Sequence, residues 1–233
     1  MADESILDGL DPFDLLDREA DRVHHLFTSE PDWSRPSRCA GWTVRDMLGH
    51  LTGLEDYTRA NLDHTVGDLL QVALEAGISD LGTYNDWQIR QYAGVPTDEL
   101  VGEWRAAQVA NRLALRERGR SGSVDTLVGD YPSWLQTFHF AVEYATHGDD
   151  IYVPVPEEER RERAGWRATF GRFVLQELDR PVTVTVGDEG VVVESERGRT
   201  ELSAEDFVEA TVGRLPDTHP LEAPLRELLS TVP

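Results

Sequence analysis

The sequence predicts a mainly α-helical protein, in which an N-terminal up-and-down four-helix bundle is followed by a small α+β domain. Apolar residues recur at helical spacing in four long segments before Ile151, and they alternate as in strands from Val182 onward. Residues 153–159, between the two patterns, contain two prolines followed by glutamates, a composition typical of a linker. We therefore expect domains at residues 1–152 and 158–233.

Each long helix has a start or stop signal in the sequence. Thr43, with Asp46 three residues on, forms a capping-box-like start for the second helix. Weaker helices are expected at residues 66–76 and 84–92. The four long helices are expected from Asp11 and Pro12 to the break at Pro31, from Thr43 to about Leu62, from Pro96 to Gly119, and from about Trp134 to Ile151. Alternating in direction, they would form a bundle whose interior can host a metal.

The C-terminal segment shows a different pattern. A helix over about 159–178 precedes alternating valines that flank a glycine-rich turn at 187–190, which predicts a β-hairpin. Two short helices, at about 204–212 and 221–229, complete the predicted α+β domain.

Charge and composition exclude several partners. The chain has 44 acidic and 22 basic residues, for a formal net charge of −22, which argues against nucleic acid and anionic membranes. No apolar run approaches membrane-spanning length, and the N-terminus carries acidic residues where a signal peptide is basic. The single cysteine, Cys39, cannot form an internal disulfide. A cytoplasmic protein is expected, either a monomer or a dimer.

Two separated segments carry candidate metal ligands. His50 lies at the apolar edge of the second long helix, and Glu143 and His147 lie one turn apart on the fourth. Two imidazoles and one carboxylate suit a divalent ion such as zinc and leave a coordination position for a thiol or water. His139 lies on the same helix face as a competing ligand, and Asp150 could accept from the second imidazole nitrogen of His147.

Other interpretations of these residues remain open. His50 could be a half-buried imidazole bonded to a backbone carbonyl, and Glu143 with His147 could be an exposed i,i+4 pair. Against this, Glu143 neighbours apolar positions, where an unpaired carboxylate costs several kcal/mol that a cation would remove. Cys39 is interpreted as a structural thiol rather than a nucleophile, and Trp33 and Trp42 as packing residues.

The segment from Trp33 to Leu51, WSRPSRCAGWTVRDMLGHL, resembles the mycothiol-dependent maleylpyruvate isomerase family of DinB-like four-helix bundles. Its second motif, Glu143, His147 and then Asp150, is also similar to that family. So are the C-terminal hairpin and the Gly-Arg pair that ends on Arg214, so that the resemblance covers nearly the whole chain. It implies that His50, Glu143 and His147 bind a divalent metal, usually zinc, and that Arg214 binds an acidic group of the substrate.

The resemblance implies mycothiol as thiol cosubstrate and a small electrophile as substrate. A thiol coordinated to a divalent cation loses its proton near neutral pH and becomes a nucleophile. Addition to a conjugated enol, rotation and thiol expulsion would isomerise a cis double bond, whereas departure of a leaving group would make the protein an S-transferase. The alternatives are a metal-dependent hydrolase that activates water and a non-enzymatic binding or regulatory module.

Overall fold

The computed structural model describes residues 2–78 and 80–232. These residues form nine α-helices, one short 3-10 helix and two antiparallel sheets. The first part of the chain holds α1 (Pro12–Thr28), α2 (Val44–Asp63), α3 (Val66–Glu75), α4 (Leu81–Gln91), α5 (Thr97–Arg118), β1 (Ser123–Thr126), β2 (Gly129–Pro132) and α6 (Ser133–Asp150). The remainder holds the 3-10 helix (Glu4–Leu7), α7 (Glu157–Glu177), β3 (Val182–Gly187), β4 (Gly190–Ser195), β5 (Gly198–Leu202), α8 (Ala204–Thr211) and α9 (Ala223–Leu229). The mainly helical class with a small C-terminal sheet is confirmed.

The chain divides into two compact units, which we call the N-terminal unit (Asp11–Pro154) and the C-terminal unit (the described residues of Met1–Leu10 and Val155–Pro233). The structure thus groups the first ten residues differently from the predicted domain at 1–152, because Leu7 of the 3-10 helix is fully buried and that helix packs on α7. The domain bounds 1–152 and 158–233 otherwise remain a prediction, and residues 1 and 233 lie outside the described part of the chain.

The helix starts predicted at Asp11 and at Thr43 are confirmed. The Asp11 side chain accepts hydrogen bonds from the N–H groups of Phe13 and Asp14 at the start of α1. Thr43 and Asp46 form a reciprocal capping box at the start of α2. Both caps satisfy N–H groups that a helix terminus leaves without an intrahelical partner.

The long helices of the N-terminal unit do not alternate in direction. α1 packs against α5 and α6, and α2 packs against α5. Arg45 near the start of α2 contacts Thr97 at the start of α5, and Asn111 further along α5 contacts Glu55 further along α2, so these two helices run parallel. The predicted up-and-down order of the helices is therefore wrong for α2 and α5, which were expected to run antiparallel. Residues 64–96, with α3 and α4, are long enough to return the chain along the length of α2 before α5 begins.

A short hairpin occupies the segment around Tyr131 and Pro132, for which the sequence predicts a loop. β1 and β2 pair antiparallel with Val124 opposite Tyr131, and the Val124 side chain is fully buried. Leu127 and Val128, at the turn, are exposed, so no alternation of buried and exposed apolar residues marks the hairpin in the sequence.

The C-terminal unit has a three-stranded antiparallel sheet of order β3-β4-β5. The hairpin predicted from alternating valines is confirmed, with Val184 opposite Val193. The sequence does not predict β5, because only Leu202 of its residues is buried. The apolar face of the sheet joins a core that includes Val191, Val193, Phe207, Leu225 and Leu229.

Within the described chain, no helix combines the length and apolar character that crossing a lipid bilayer requires.

Candidate metal centre

Helices α2 and α6 bring the three predicted ligands together. The Nε2 atoms of His50 and His147 lie 3.1 Å apart. Glu143 Oε2 lies 3.1 Å from His147 Nε2, since the two residues are one turn apart on α6. One ligand atom from each of the three residues lies within 4.8 Å of the other two. His50 and His147 are 97 positions apart in sequence, so the cluster exists only in the folded chain.

The spacing of these atoms suits a small divalent cation. Two nitrogens bound at about 2.0–2.1 Å to a tetrahedral zinc ion lie about 3.3 Å apart. The 3.1 Å separations at His147 are therefore within a few tenths of an ångström of what zinc requires. With three protein ligands, a fourth tetrahedral position is left for an exogenous ligand.

Asp150 is placed on the other side of the His147 ring. Its Oδ2 lies 3.1 Å from His147 Nδ1, and the carboxylate is fully buried. Arg38 approaches the second carboxylate oxygen, with Nε 3.9 Å from Oδ1. When Nδ1 donates to Asp150, the lone pair of His147 is on Nε2, the atom that faces His50 and Glu143.

The three ligands differ in exposure. His50 and His147 expose only 7% and 8% of their surface. The Glu143 side chain is 48% exposed. The expected desolvation cost at its carboxylate is nevertheless present, because the oxygen that faces the buried His147 ring is itself partly shielded from water. The cluster is open to solvent at Glu143.

The two imidazoles have opposite electrostatic properties. Burial, reinforced by the nearby His147, lowers the pKa of His50 to about 3, so that ring is neutral. Burial alone would also lower the pKa of His147, but hydrogen bonds with Asp150, Cys39 and Glu143 raise it well above the ordinary value. Burial opposes ionisation of Glu143, yet the hydrogen bond and charge of His147 lower its pKa overall.

The second nitrogen of His50 has a different environment from that of His147. Among the described residues, no group accepts from or donates to the buried His50 Nδ1. The Trp42 ring packs against the His50 ring with centroids 5.1 Å apart, while its indole N–H donates to Asp86. Trp42 therefore contacts a candidate ligand, whereas Trp33 packs against Phe27.

Two other candidate site residues, His139 and Arg214, are not part of the cluster formed by His50, Glu143 and His147. His139 is absent from the ligand clusters found among the described residues, and its ring packs against Tyr131. Burial lowers the pKa of His139 to about 4. Arg214 lies just after α8 in the C-terminal unit and is partly buried, and its role in substrate binding remains a prediction.

Sequence reasoning missed the placement of Cys39. Its Sγ lies 3.1 Å from Asp150 Oδ2, and Cys39, His147 and Asp150 form a second group of clustered ligand atoms. The loop before α2 folds back so that the Arg38 N–H donates to the Asp150 carbonyl at the end of α6. No periodicity in the sequence marks such a contact.

Two histidines and one glutamate with a free coordination position are typical of catalytic metal sites, whereas structural zinc sites usually have four protein ligands. Residues 14–152 match the family model described as the mycothiol maleylpyruvate isomerase N-terminal domain. The chain belongs to this family, as the two motifs indicated. No curated protein and no solved structure matches the chain significantly.

Proposed function

We propose that the protein is a metal-dependent enzyme that uses mycothiol as a thiol cosubstrate, either as an S-transferase or as an isomerase, on a small electrophile. The observation that carries the proposal is the convergence of His50, Glu143 and His147 in a chain of this family. The proposal includes a DinB-like four-helix arrangement of α1, α2, α5 and α6, and a cytoplasmic location.

In this proposal the His50 and His147 Nε2 atoms and the Glu143 carboxylate hold a divalent ion, which we take to be zinc. A bound ion of this kind supplies positive charge that lowers the pKa of a thiol at its open position. Asp150 keeps the His147 proton on Nδ1. Glu143 is the exposed ligand, so thiol and electrophile are expected to approach from its side. Arg214 is proposed to bind an acidic group of the electrophile.

The test compares the wild-type protein with Glu143→Ala and with Glu103→Ala, which removes an exposed carboxylate from the second turn of α5. Metal content is measured by elemental analysis after dialysis, and turnover of a conjugated electrophile is measured with and without mycothiol. Glu143→Ala is expected to lose metal affinity by about 100-fold or more, since loss of a mere supporting partner already costs 10–100-fold. Glu103→Ala is expected to match the wild type.

Three results would contradict the proposal. Mycothiol-dependent turnover that survives in Glu143→Ala would remove the metal cluster from the mechanism. Turnover that needs no thiol would instead identify a hydrolase that activates water. A wild-type protein with substoichiometric metal and no turnover would favour a binding module.

A further inference from the structure

Cys39 contacts two residues of the candidate metal centre, Asp150 and His147, and its thiol hydrogen bond goes to Asp150. The Cys39 thiol donates to Asp150 Oδ2 at 3.1 Å, and the same oxygen lies 3.1 Å from His147 Nδ1. The thiol is held in place by a tight turn: Ser37 N–H donates to the Trp42 carbonyl at 2.8 Å, and Trp42 N–H donates to the Cys39 carbonyl at 3.1 Å.

Asp150 depends on these neighbours because it is fully buried. A carboxylate without exposure to water needs hydrogen bonds and a compensating charge to remain ionised and to keep one orientation. Cys39 and His147 supply the hydrogen bonds at Oδ2, and Arg38 supplies a positive charge 3.9 Å from Oδ1. Removal of the thiol would leave Asp150 Oδ2 with one donor fewer and the side chain less constrained.

We propose that Cys39 is a positioning residue of the metal centre, whose thiol orients Asp150 so that Asp150 fixes the His147 ring with Nε2 toward the metal. This inference rests on the proposed metal site, and it adds a residue from outside α2 and α6 to that site.

The geometry favours positioning over direct ligation. The two ligand clusters among the described residues share only His147, and Cys39 belongs to the one without His50 and Glu143. Its sulfur lies on the Nδ1 side of the His147 ring, whereas the proposed metal lies on the Nε2 side. The Arg38 guanidinium beside Asp150 also disfavours a second cation there.

The experiment uses four variants of the full chain. Three are the single substitutions Cys39→Ala, Cys39→Ser and Asp150→Asn, and the fourth combines Cys39→Ala with Asp150→Asn. Zn²⁺ affinity is measured by competition with a chromogenic chelator. Cys39→Ala is expected to weaken binding by about 10–100-fold, the usual effect of losing an outer partner of a metal ligand. Cys39→Ser keeps a donor and should retain most of the affinity. In the Asp150→Asn background, Cys39→Ala should weaken binding much less than it does in the wild type, because Cys39 acts mainly through Asp150 and only secondarily through its own contact with His147.

A second readout does not depend on metal. In metal-free protein the His147 Nδ1 proton, held by a buried carboxylate, should give a slowly exchanging downfield ¹H–¹⁵N resonance in the wild type and in Cys39→Ser. This resonance should be broadened or lost in Cys39→Ala. Circular dichroism and the Tm of each variant establish that the fold is kept, so that a change in this signal reports the orientation of His147.

Three outcomes would overturn the inference. Additive losses of affinity from Cys39→Ala and Asp150→Asn would show that Cys39 does not act through Asp150. An intense thiolate-to-cobalt charge-transfer band in the Co²⁺ protein, absent from Cys39→Ala, would make Cys39 a ligand. An unchanged His147 resonance in Cys39→Ala would contradict positioning even if the wild type bound no metal, which separates this inference from the proposed function.

Discussion

His147 is the residue on which the candidate centre converges, because both of its ring nitrogens are engaged. Nδ1 faces the buried carboxylate of Asp150, and Nε2 faces His50 and Glu143. In the absence of a cation, the carboxylates of Asp150 and Glu143 help to raise the pKa of His147 well above its ordinary value, although burial opposes the shift. The metal-free protein is therefore expected to carry a proton where the proposed ion binds.

This competition predicts that Zn²⁺ binding at pH 7 releases about one proton from the protein. The proton comes from His147, since burial keeps His50 neutral with a pKa of about 3 and Glu143 has a lowered pKa. Zn²⁺ affinity should therefore rise with pH through the neutral range. Isothermal titration calorimetry in buffers of different ionisation enthalpy measures the number of protons.

Asp150→Asn is the informative comparison for this titration, because it removes the carboxylate that favours the protonated ring. This variant should release fewer protons at pH 7 than the wild type, while His25→Ala, which removes an exposed histidine of α1, should release the same number. A binding enthalpy that does not depend on the buffer would contradict a protonated His147.

The sequence predicts the part of the candidate site that lies on α6, because its residues recur at helical spacing. Glu143, His147 and Asp150 follow one another at i, i+4 and i+7, which places them on neighbouring faces of α6. The exposure of Glu143 could not be predicted, since it depends on which neighbours cover that part of α6. Cys39 could not be predicted either, because a loop between prolines and glycines carries no periodicity from which its contacts follow.

At the scale of helices, the start of α2 determines where His50 lies on the helix. Thr43 accepts a hydrogen bond from Asp46 N–H, and Asp46 Oδ2 accepts one from Thr43 N–H at 2.8 Å. Thr43→Ala is expected to lower the free energy of unfolding by about 1 kcal/mol. Urea denaturation measures this change.

Thr65→Ala is the matched control for Thr43→Ala, because Thr65 occupies the N-cap of α3 and makes no side-chain capping hydrogen bond. It should change the free energy of unfolding by only a few tenths of a kcal/mol, with no effect on metal affinity. Equal effects of the two substitutions would show that the capping box contributes nothing beyond helix propensity.

A buried polar network joins α2, α5 and α6. Glu55 accepts hydrogen bonds from Tyr144 O–H and from Asn111 Nδ2, and Trp104 N–H donates to the Tyr144 oxygen at 3.0 Å. Glu55 is only 4% exposed, and its burial raises its pKa from 4.5 to about 7. Since Tyr144 follows Glu143 directly, this network holds α2 and α6 in register beside the candidate ligands.

The raised pKa of Glu55 predicts a pH-dependent loss of stability. Below pH 4.5, Glu55 is protonated in both the folded and the unfolded state. Above about pH 7 it is ionised in both states, but only the folded state then bears the free-energy cost of a buried charge. Relative to Glu55→Gln, which does not titrate, the wild type should lose about 3 kcal/mol between these pH values. Chemical denaturation of both proteins with chelator present gives the difference. A difference independent of pH would contradict the raised pKa.

Helix boundaries could be predicted because caps and breakers act locally, but helix direction could not. Direction depends on the connection, and residues 64–96 contain two further helices that return the chain to the start of α2. The buried Glu55, Asn111 and Tyr144 likewise look in the sequence like ordinary polar residues of helix surfaces. Their partners lie on other helices, so only the assembled unit shows that they are inside.

For the whole molecule, net charge is the dominant electrostatic property. The formal charge of −22 implies mutual repulsion in the folded chain. Local attraction opposes it at the contact between α1 and α5, where Arg112 and Arg116 bind Asp17 at 2.8 and 2.7 Å. These pairs are partly exposed, so each contributes no more than about 1 kcal/mol. Repulsion summed over an excess of 22 acidic residues should outweigh them.

The balance predicts that added salt stabilises the protein. Raising KCl from 0.1 to 1 M shortens the Debye length from about 10 to about 3 Å, which screens long-range repulsion more than the close α1–α5 pairs. The free energy of unfolding should rise on the order of 1 kcal/mol, with an increase of a few degrees in Tm. NaCl at equal ionic strength should raise the Tm by the same amount. The increase in Tm should become smaller near the pI of 4.5, where the net charge and its repulsion vanish. A fall in Tm with salt at neutral pH would mean that the ion pairs between α1 and α5 contribute more than the net charge.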